Sequence, residues 1–597
     1  MRNKKKTVLF MIGGVVLLLL VKVLLDVPYR SNIPALPDLQ SLTDSLKLQL
    51  TTASKKAYRN PTADNLGMLA MVYHSSANYE KAAICYKLAV KKNKSKWIWS
   101  YYLGYLDMEM GESANAIKSF DTVIQENPNA FHAWYYIGEG YQNIGANDKA
   151  ELAFKKIATL KEKNSPMNST LRKDYFPLRI YAKYQLARIS FNTGKLDLAE
   201  QMLLEILKEN RTFGAAYRQL GAIYNKKGNK QLGDKYVLRA NDLTNYASPI
   251  DNLVDKLTLS SKSDLYLMKQ IDEAERTIYP EWAMTLISNA LRVTPGNKYL
   301  ISKAVKFYLK IGTKQLALPY LNQHLSYFKD DSNELKEVAD MLDENGAFSQ
   351  SIVYFQQAVK LKPNDSELQS NLVLALFNAG MKEKSLDYMN ETLKKDKNNV
   401  EVLSNGVFIL LTMGENDKAD AYMAELNRIA PTNPKVQQRA GMIAEREGKL
   451  NIALAQYEKS FNSDPTDLAT IQMLGNILLK QETWLKAINH YRKALENHPN
   501  EPYLLEKLGS LLITCPDITL RKTDEGMEYA ERALDHKSSS MEIVIKAGSI
   551  LSEAYATKGD KQTAITYLNS VIELAQNNNA PKEYLADLGR KLKELNQ

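Results

Sequence analysis

Apolar residues recur along most of this chain at intervals of three or four, in blocks broken by glycine or asparagine. That period belongs to amphipathic helices and the breaks to tight turns. The stretch from Phe131 to Glu162 illustrates it. Trp134, Ile137, Gly138 and Tyr141 share one helix face, Gly145 and Asn147 end that helix, and Ala150, Phe154 and Ile157 mark the inner face of a second. Gly138 and Ala150 are small, which predicts a close approach of the two helices. A bulky side chain there would overpack the contact at a cost of about 1–3 kcal/mol.

The block repeats. Gly312, Gly346, Gly380, Gly414 and Gly448 are each 34 residues apart, and Gly441, Gly475 and Gly509 keep that spacing in another phase. Ala419, Ala453 and Ala487 follow it, as do Gly104 with Gly138, Gly111 with Gly145, and Ala116 with Ala150. About fourteen such units start near residues 63, 97, 131, 180, 214, 264, 298, 332, 366, 400, 434, 468, 502 and 545. Three places break the frame: about Lys161–Leu178, Ala247–Ser263, and Cys515-Pro516-Asp517. Lys582–Leu595 reads as a charged amphipathic helix that covers the last repeat, as terminal repeats require.

A period of 34 with a helix–turn–helix unit resembles the tetratricopeptide repeat. Residues 468–501 carry its signature at Leu474, Gly475, Ala487, Tyr491, Ala494 and Pro499, and residues 97–164 and 434–501 match it as well. The resemblance implies an all-α superhelical solenoid in which Gly104, Gly138, Ala150, Gly475, Ala487 and Gly509 serve packing between helices.

Outside the repeats the pattern changes. Thr7 to Leu25 is 19 residues with one charge, Lys22, and predicts a transmembrane helix. Arg2, Lys4, Lys5 and Lys6 before it predict a cytoplasmic N-terminus and extracytoplasmic repeats, periplasmic in a bacterium with two membranes. The expected organisation is a basic tip at 1–6, an anchor at 7–25, a Pro-containing spacer and helix at 26–62, and a first array at 63–246. A joint at 247–263, a second array at 264–579 and a capping helix at 580–597 complete it.

Composition narrows the function. The net charge is +10, but residues 1–30 carry a net +5 and the other 567 residues share the rest, which argues against a phosphate-tracking stripe and a nucleic-acid partner. The two cysteines, Cys85 and Cys515, are too distant in sequence for a metal or redox motif. Among the six histidines no pair has the spacing of a zinc enzyme, and neither a Walker loop nor Gly-x-Ser-x-Gly occurs. No catalytic residue and no cofactor is expected, so the chain reads as a binding protein and not as an enzyme.

The resemblance implies that partner proteins or peptides lie along the inner face made by the first helix of each repeat. Some members of the family grip a peptide C-terminal carboxylate with Lys, Asn and Arg from three successive repeats. In the first three repeats those positions hold Gly67, Met71, Tyr102, His132 and Tyr136, which do not match. In the repeats from 366, 400 and 434 they hold Ser370, Leu374, Asn405, Lys435 and Arg439, of which the last three match. The expectation is a membrane-anchored scaffold for assembly, secretion or quality control of envelope proteins. Alternatives are an organellar protein-import receptor or co-chaperone, and an accessory subunit of an envelope enzyme or cytochrome-related complex. The last follows from a resemblance of residues 247–263 to segments in haem-carrying repeat proteins, although the haem motif is absent here.

Overall fold

The computed structural model describes residues 21–22, 24–159, 176–243, 246–276 and 280–596. From residue 44 onward they form 32 α-helices, and no strand occurs among the described residues. Twenty-nine of the helices make fourteen consecutive helix–turn–helix pairs, because the second helix of the pair starting at Lys298 is broken in two: Lys314–Ala317 and Leu321–Phe328 flank a 3₁₀ turn, Leu318–Tyr320. Pro319 lies in that turn, where its missing N–H and its ring interrupt the α-helical ladder. Three helices stand outside the pairs: Asp44–Arg59, Asn252–Ser260 and Lys582–Asn596.

The small residues do what the spacing predicts. A Cβ built on Gly104 would lie 2.9 Å from the Phe120 ring, and one on Gly138 would lie 2.6 Å from Phe154. Gly441 and Gly475 stand in the same relation to Tyr457 and Tyr491, at 2.5 and 2.3 Å. At Gly509 the obstacle is backbone, Gly526 O and Ala530 N, both at 3.0 Å. Ala150 and Ala487 are fully buried on the facing helices. In the repeats of Gly104, Gly138, Gly441 and Gly475 an aromatic ring of the second helix thus sits on a bare stretch of the first. The turn between the two helices uses a left-handed residue, at Gly111, Gly145, Gly346 and Gly414 among others, a conformation that a side chain disfavours.

The chain divides into two compact units, residues 1–237 with 244–301, and residues 238–243 with 302–597. In the second unit the first helices of the repeats are capped with a regular chemistry. The side chains of Asp331, Asp365, Asn399, Asn433, Asp467 and Glu501, spaced by 34, accept hydrogen bonds from the opening N–H groups of the helices they precede, which would otherwise lack partners. In the first unit Thr62, Ser263 and Asn297 cap in this way, but Lys96, Ala130, Pro177 and Phe213 do not. Lys582–Asn596 covers the last repeat through Leu588, which is buried on Ile545, Leu568, Val571 and Ala575. The break at Cys515-Pro516-Asp517 is a short 3₁₀ connection, tied down by a hydrogen bond from Arg521 Nε to Cys515 O at 2.7 Å. Most of the break at 161–178 lies outside the described residues.

The membrane placement needs correction. Among the described residues no helix is long and apolar enough to cross a membrane, and the single-pass anchor with extracytoplasmic repeats is not supported. Residues 1–20 and 23 lie outside the described residues. The part of the apolar stretch that is described leads into a helical segment, 24–30, that docks on the first repeat. There Asp26 is buried and pairs with Lys92 at 2.7 Å, whose ammonium lies 4.2 Å from the centre of the Tyr29 ring. The expected envelope setting rested on that anchor and is likewise not supported.

Candidate inner-face sites

In the first unit the first helices of the second and third repeats, Trp97–Glu109 and Phe131–Asn143, carry aromatic residues on one side. Tyr101 and Tyr105 are four apart, as are His132 and Tyr136, so each pair shares a helix face. These residues hold the chain's own residues 250–253. Tyr101 and Tyr136 donate hydrogen bonds to the same oxygen, Oδ2, of Asp251, the latter at 3.1 Å. Tyr102 donates to Leu253 O at 3.0 Å and His132 Nε2 to Ile250 O at 2.8 Å. The other carboxylate oxygen of Asp251 accepts from Leu253 N at 2.8 Å and caps the helix Asn252–Ser260. Burial and the Asp251 charge both push the Tyr101 and Tyr136 phenols well above their usual range, so they remain donors.

Residues 247–263 therefore lie within the groove of the first unit. Their far end is held too: Gln49 Nε2 donates to Ser260 O at 2.7 Å and Ser261 Oγ to Ser75 O at 2.6 Å. Beside the segment a cavity of about 610 Å³ remains, with Tyr105, Tyr136, Glu139, Tyr246 and Glu273 in its wall. Burial pushes the Glu139 carboxyl up to about 7, against the lowering effects of a hydrogen bond from Tyr135 and the Arg188 charge. Three of the positions that fail the carboxylate pattern, Tyr102, His132 and Tyr136, are thus binding residues of a different kind. The signal was present in the sequence as Tyr and His on one face of successive helices, followed by a non-repeating Asp-Asn helix start.

In the second unit Asn405 and Arg439 come together, on the helices Val400–Met413 and Pro434–Arg446. Arg439 Nε donates to Ser404 O at 3.0 Å, one terminal nitrogen reaches Asn405 Oδ1 at 3.4 Å, and the other meets the Met442 sulfur at 3.2 Å. The guanidinium stacks 5.2 Å from the centre of the Phe408 ring. Burial lowers its pKa to about 10, so it stays charged at neutral pH. No carboxylate among the described residues lies within ion-pair distance of it. Lys435, four residues earlier, is half-exposed and pairs with Glu401. Asn405 Nδ2 donates to Ser370 Oγ at 2.5 Å, and Ser370 Oγ donates to Glu401 O at 3.1 Å. Leu374 packs on a small apolar cluster with Val373 and Met389. The two non-matching positions are therefore used for packing and for holding Asn405.

These features define a helical-repeat protein with two inner faces of different chemistry. The tetratricopeptide repeat family matches residues 63–94, 101–165 and 550–578, and the chain contains tetratricopeptide repeats. It is 30% identical over 86 residues to the CTR9 homolog of Arabidopsis thaliana, across 14% of this chain, and that match spans 8% of the plant protein. Yeast Tom70 resembles it at 14% identity over 89% of this chain and 95% of that one, with a TM-score of 0.35. YrrB, described as a repeat protein with an unusual peptide-binding site, resembles it at 18% identity over 34% of this chain and 98% of that one, with a TM-score of 0.28.

Proposed function

We propose that this chain is a protein-interaction scaffold, not an enzyme, and that its second unit receives a peptide carboxylate at Asn405, Lys435 and Arg439. The observation that carries the reading is the Arg439 guanidinium: half-buried, charged, and without a carboxylate at ion-pair distance among the described residues, the charges of Asp467 and Glu401 acting on it only from farther off. A partly desolvated cation whose direct partners are a carbonyl, an amide and a ring is only partly compensated by carboxylates at longer range, and a carboxylate arriving from outside can pair with it directly. Asn405 is oriented by Ser370 beside it, and Lys435 exchanges Glu401 for the incoming group. Support for a non-catalytic role comes from the organisation of the chain. Apart from short connections, the described residues from 44 onward belong to repeat helices, the groove segment or the flanking helices.

The test uses the full chain and an array of peptides offered with free and with amidated C-termini. Peptides with the free carboxylate bind more tightly. Lys435→Ala combined with Arg439→Ala weakens them by about tenfold to a hundredfold, with the helical circular dichroism unchanged. An array that does not distinguish free from amidated ends refutes the site.

A further inference from the structure

The segment 247–260 is held in the first unit in a way that differs from the repeats around it. Repeat helices bury leucine, alanine and aromatic side chains on each other. This segment buries Ile250 and packs Leu253 and Leu257 against the apolar clusters of the unit, but it also buries Asp251, Asp255 and Thr258, and at Ile250, Asp251 and Leu253 it adds hydrogen bonds from Tyr101, Tyr102, His132 and Tyr136. Hydrogen bonds exchange for water on separation, with a larger net cost where the acceptor is charged, as it is at Asp251. An element held by three apolar side chains and by hydrogen bonds, with no helix pairing of its own, is suited to opening locally while the array stays folded. The cavity of about 610 Å³ beside it leaves part of the groove unfilled.

We propose that this inner face is a peptide-docking groove, that residues 247–260 are its resident occupant, and that a partner segment of the same chemistry displaces them. The resident defines that chemistry. It is an extended approach of small and apolar residues, then an aspartate at the start of a helix. One aspartate oxygen caps the helix and the other receives two tyrosine hydroxyls. Backbone carbonyls on either side, at Ile250 and Leu253, take one donor each from His132 and Tyr102. Two phenols converging on one oxygen select a carboxylate over an amide, and the fixed spacing to the helix start selects aspartate at that place. This groove is independent of the carboxylate site in the second unit, and either stands if the other fails.

The experiment uses the full chain and a labelled synthetic peptide covering residues 246–262, read by fluorescence anisotropy. Asp251→Ala weakens the resident, and the variant binds the peptide about tenfold more tightly than the unaltered chain. Adding Tyr101→Phe and Tyr136→Phe removes that gain, and the peptide with Asn in place of its aspartate binds the Asp251→Ala chain about tenfold more weakly. Equal binding by the unaltered and Asp251→Ala chains overturns the proposal. Hydrogen exchange of the unaltered chain decides independently, should Asp251→Ala unfold. The amides of 252–260 exchange about tenfold or more faster than those of Phe131–Asn143 if the segment opens alone, and equal protection makes it a fixed strut and overturns the proposal.

Discussion

The second unit places an acid or amide at the start of one repeat after another, from Asp331 to Glu501, whereas the second to fifth repeats of the first unit have Lys96, Ala130, Pro177 and Phe213 there. The inner faces differ as well. Of the 34 tyrosines, 21 precede residue 302, and those at 101, 102 and 136 grip the chain's own aspartate and backbone. Both units share the glycine-on-ring contact and the left-handed turn. A 34-residue signature thus specifies how two helices pack. It leaves free how their ends are satisfied and what their inner side meets, and there the two units have diverged.

The largest expected effect falls on the inner face of the first unit. Glu139 has its pKa raised by burial from 4.5 to about 7. A raised folded pKa gives stability that is fully present below the unfolded value and is lost as pH rises through the folded one. Protection of Phe131–Asn143 from hydrogen exchange should fall as pH goes from about 4.5 to 8 by up to about 3 kcal/mol relative to Glu139→Gln. Measured at pH 5 and 8, a difference that does not grow with pH would remove the buried carboxylate from the comparison.

Next come the contacts the units share. Gly138→Leu and Gly475→Leu should each cost about 1–3 kcal/mol by overpacking onto Phe154 and Tyr491, seen as lost protection confined to the altered repeat and its neighbours. A clear loss in one unit and none in the other would break the idea of a common frame.

The smallest effects lie at the helix starts. Asp467→Ala removes the acceptor for Ala469 N and Thr470 N and for the Gln438 amide, and should cost about 1–2 kcal/mol. The converse change, Ala130→Asp, installs in the first unit the cap the second unit uses, and should stabilise Phe131–Asn143 by about 0.5–1 kcal/mol. Hydrogen exchange of the two helices checks both. No gain from Ala130→Asp would mean that the first unit satisfies those N–H groups by other means.

The helix pairs were readable in the sequence because Gly and Ala at fixed offsets have a single steric reason to be small. Their number and their starting points followed from the 34-residue spacing. The caps shared that spacing too, but aspartate, asparagine and glutamate are common enough for six such residues to pass unnoticed. The groove of the first unit was hidden for a different reason. Its contacts join Tyr101, Tyr136 and Asp251 across 150 and 115 residues, and no local period records such a pairing. Arg439 and Asn405 were found by pattern, yet the pattern said nothing of Ser404 O, Phe408 or the Glu401 that holds Lys435.

The distance along the chain from Tyr136 to Asp251, 115 residues, also has a meaning in time. At about 5–20 residues per second of synthesis, the ribosome completes the helix Phe131–Asn143 roughly 5 to 22 s before it delivers the aspartate that belongs against it. Helices form in microseconds or less, so the tyrosine face is built and stands without its aspartate for that interval. The newborn chain therefore passes through a stage, set by the length of the intervening repeats, in which its first groove faces the surrounding medium before its own segment arrives.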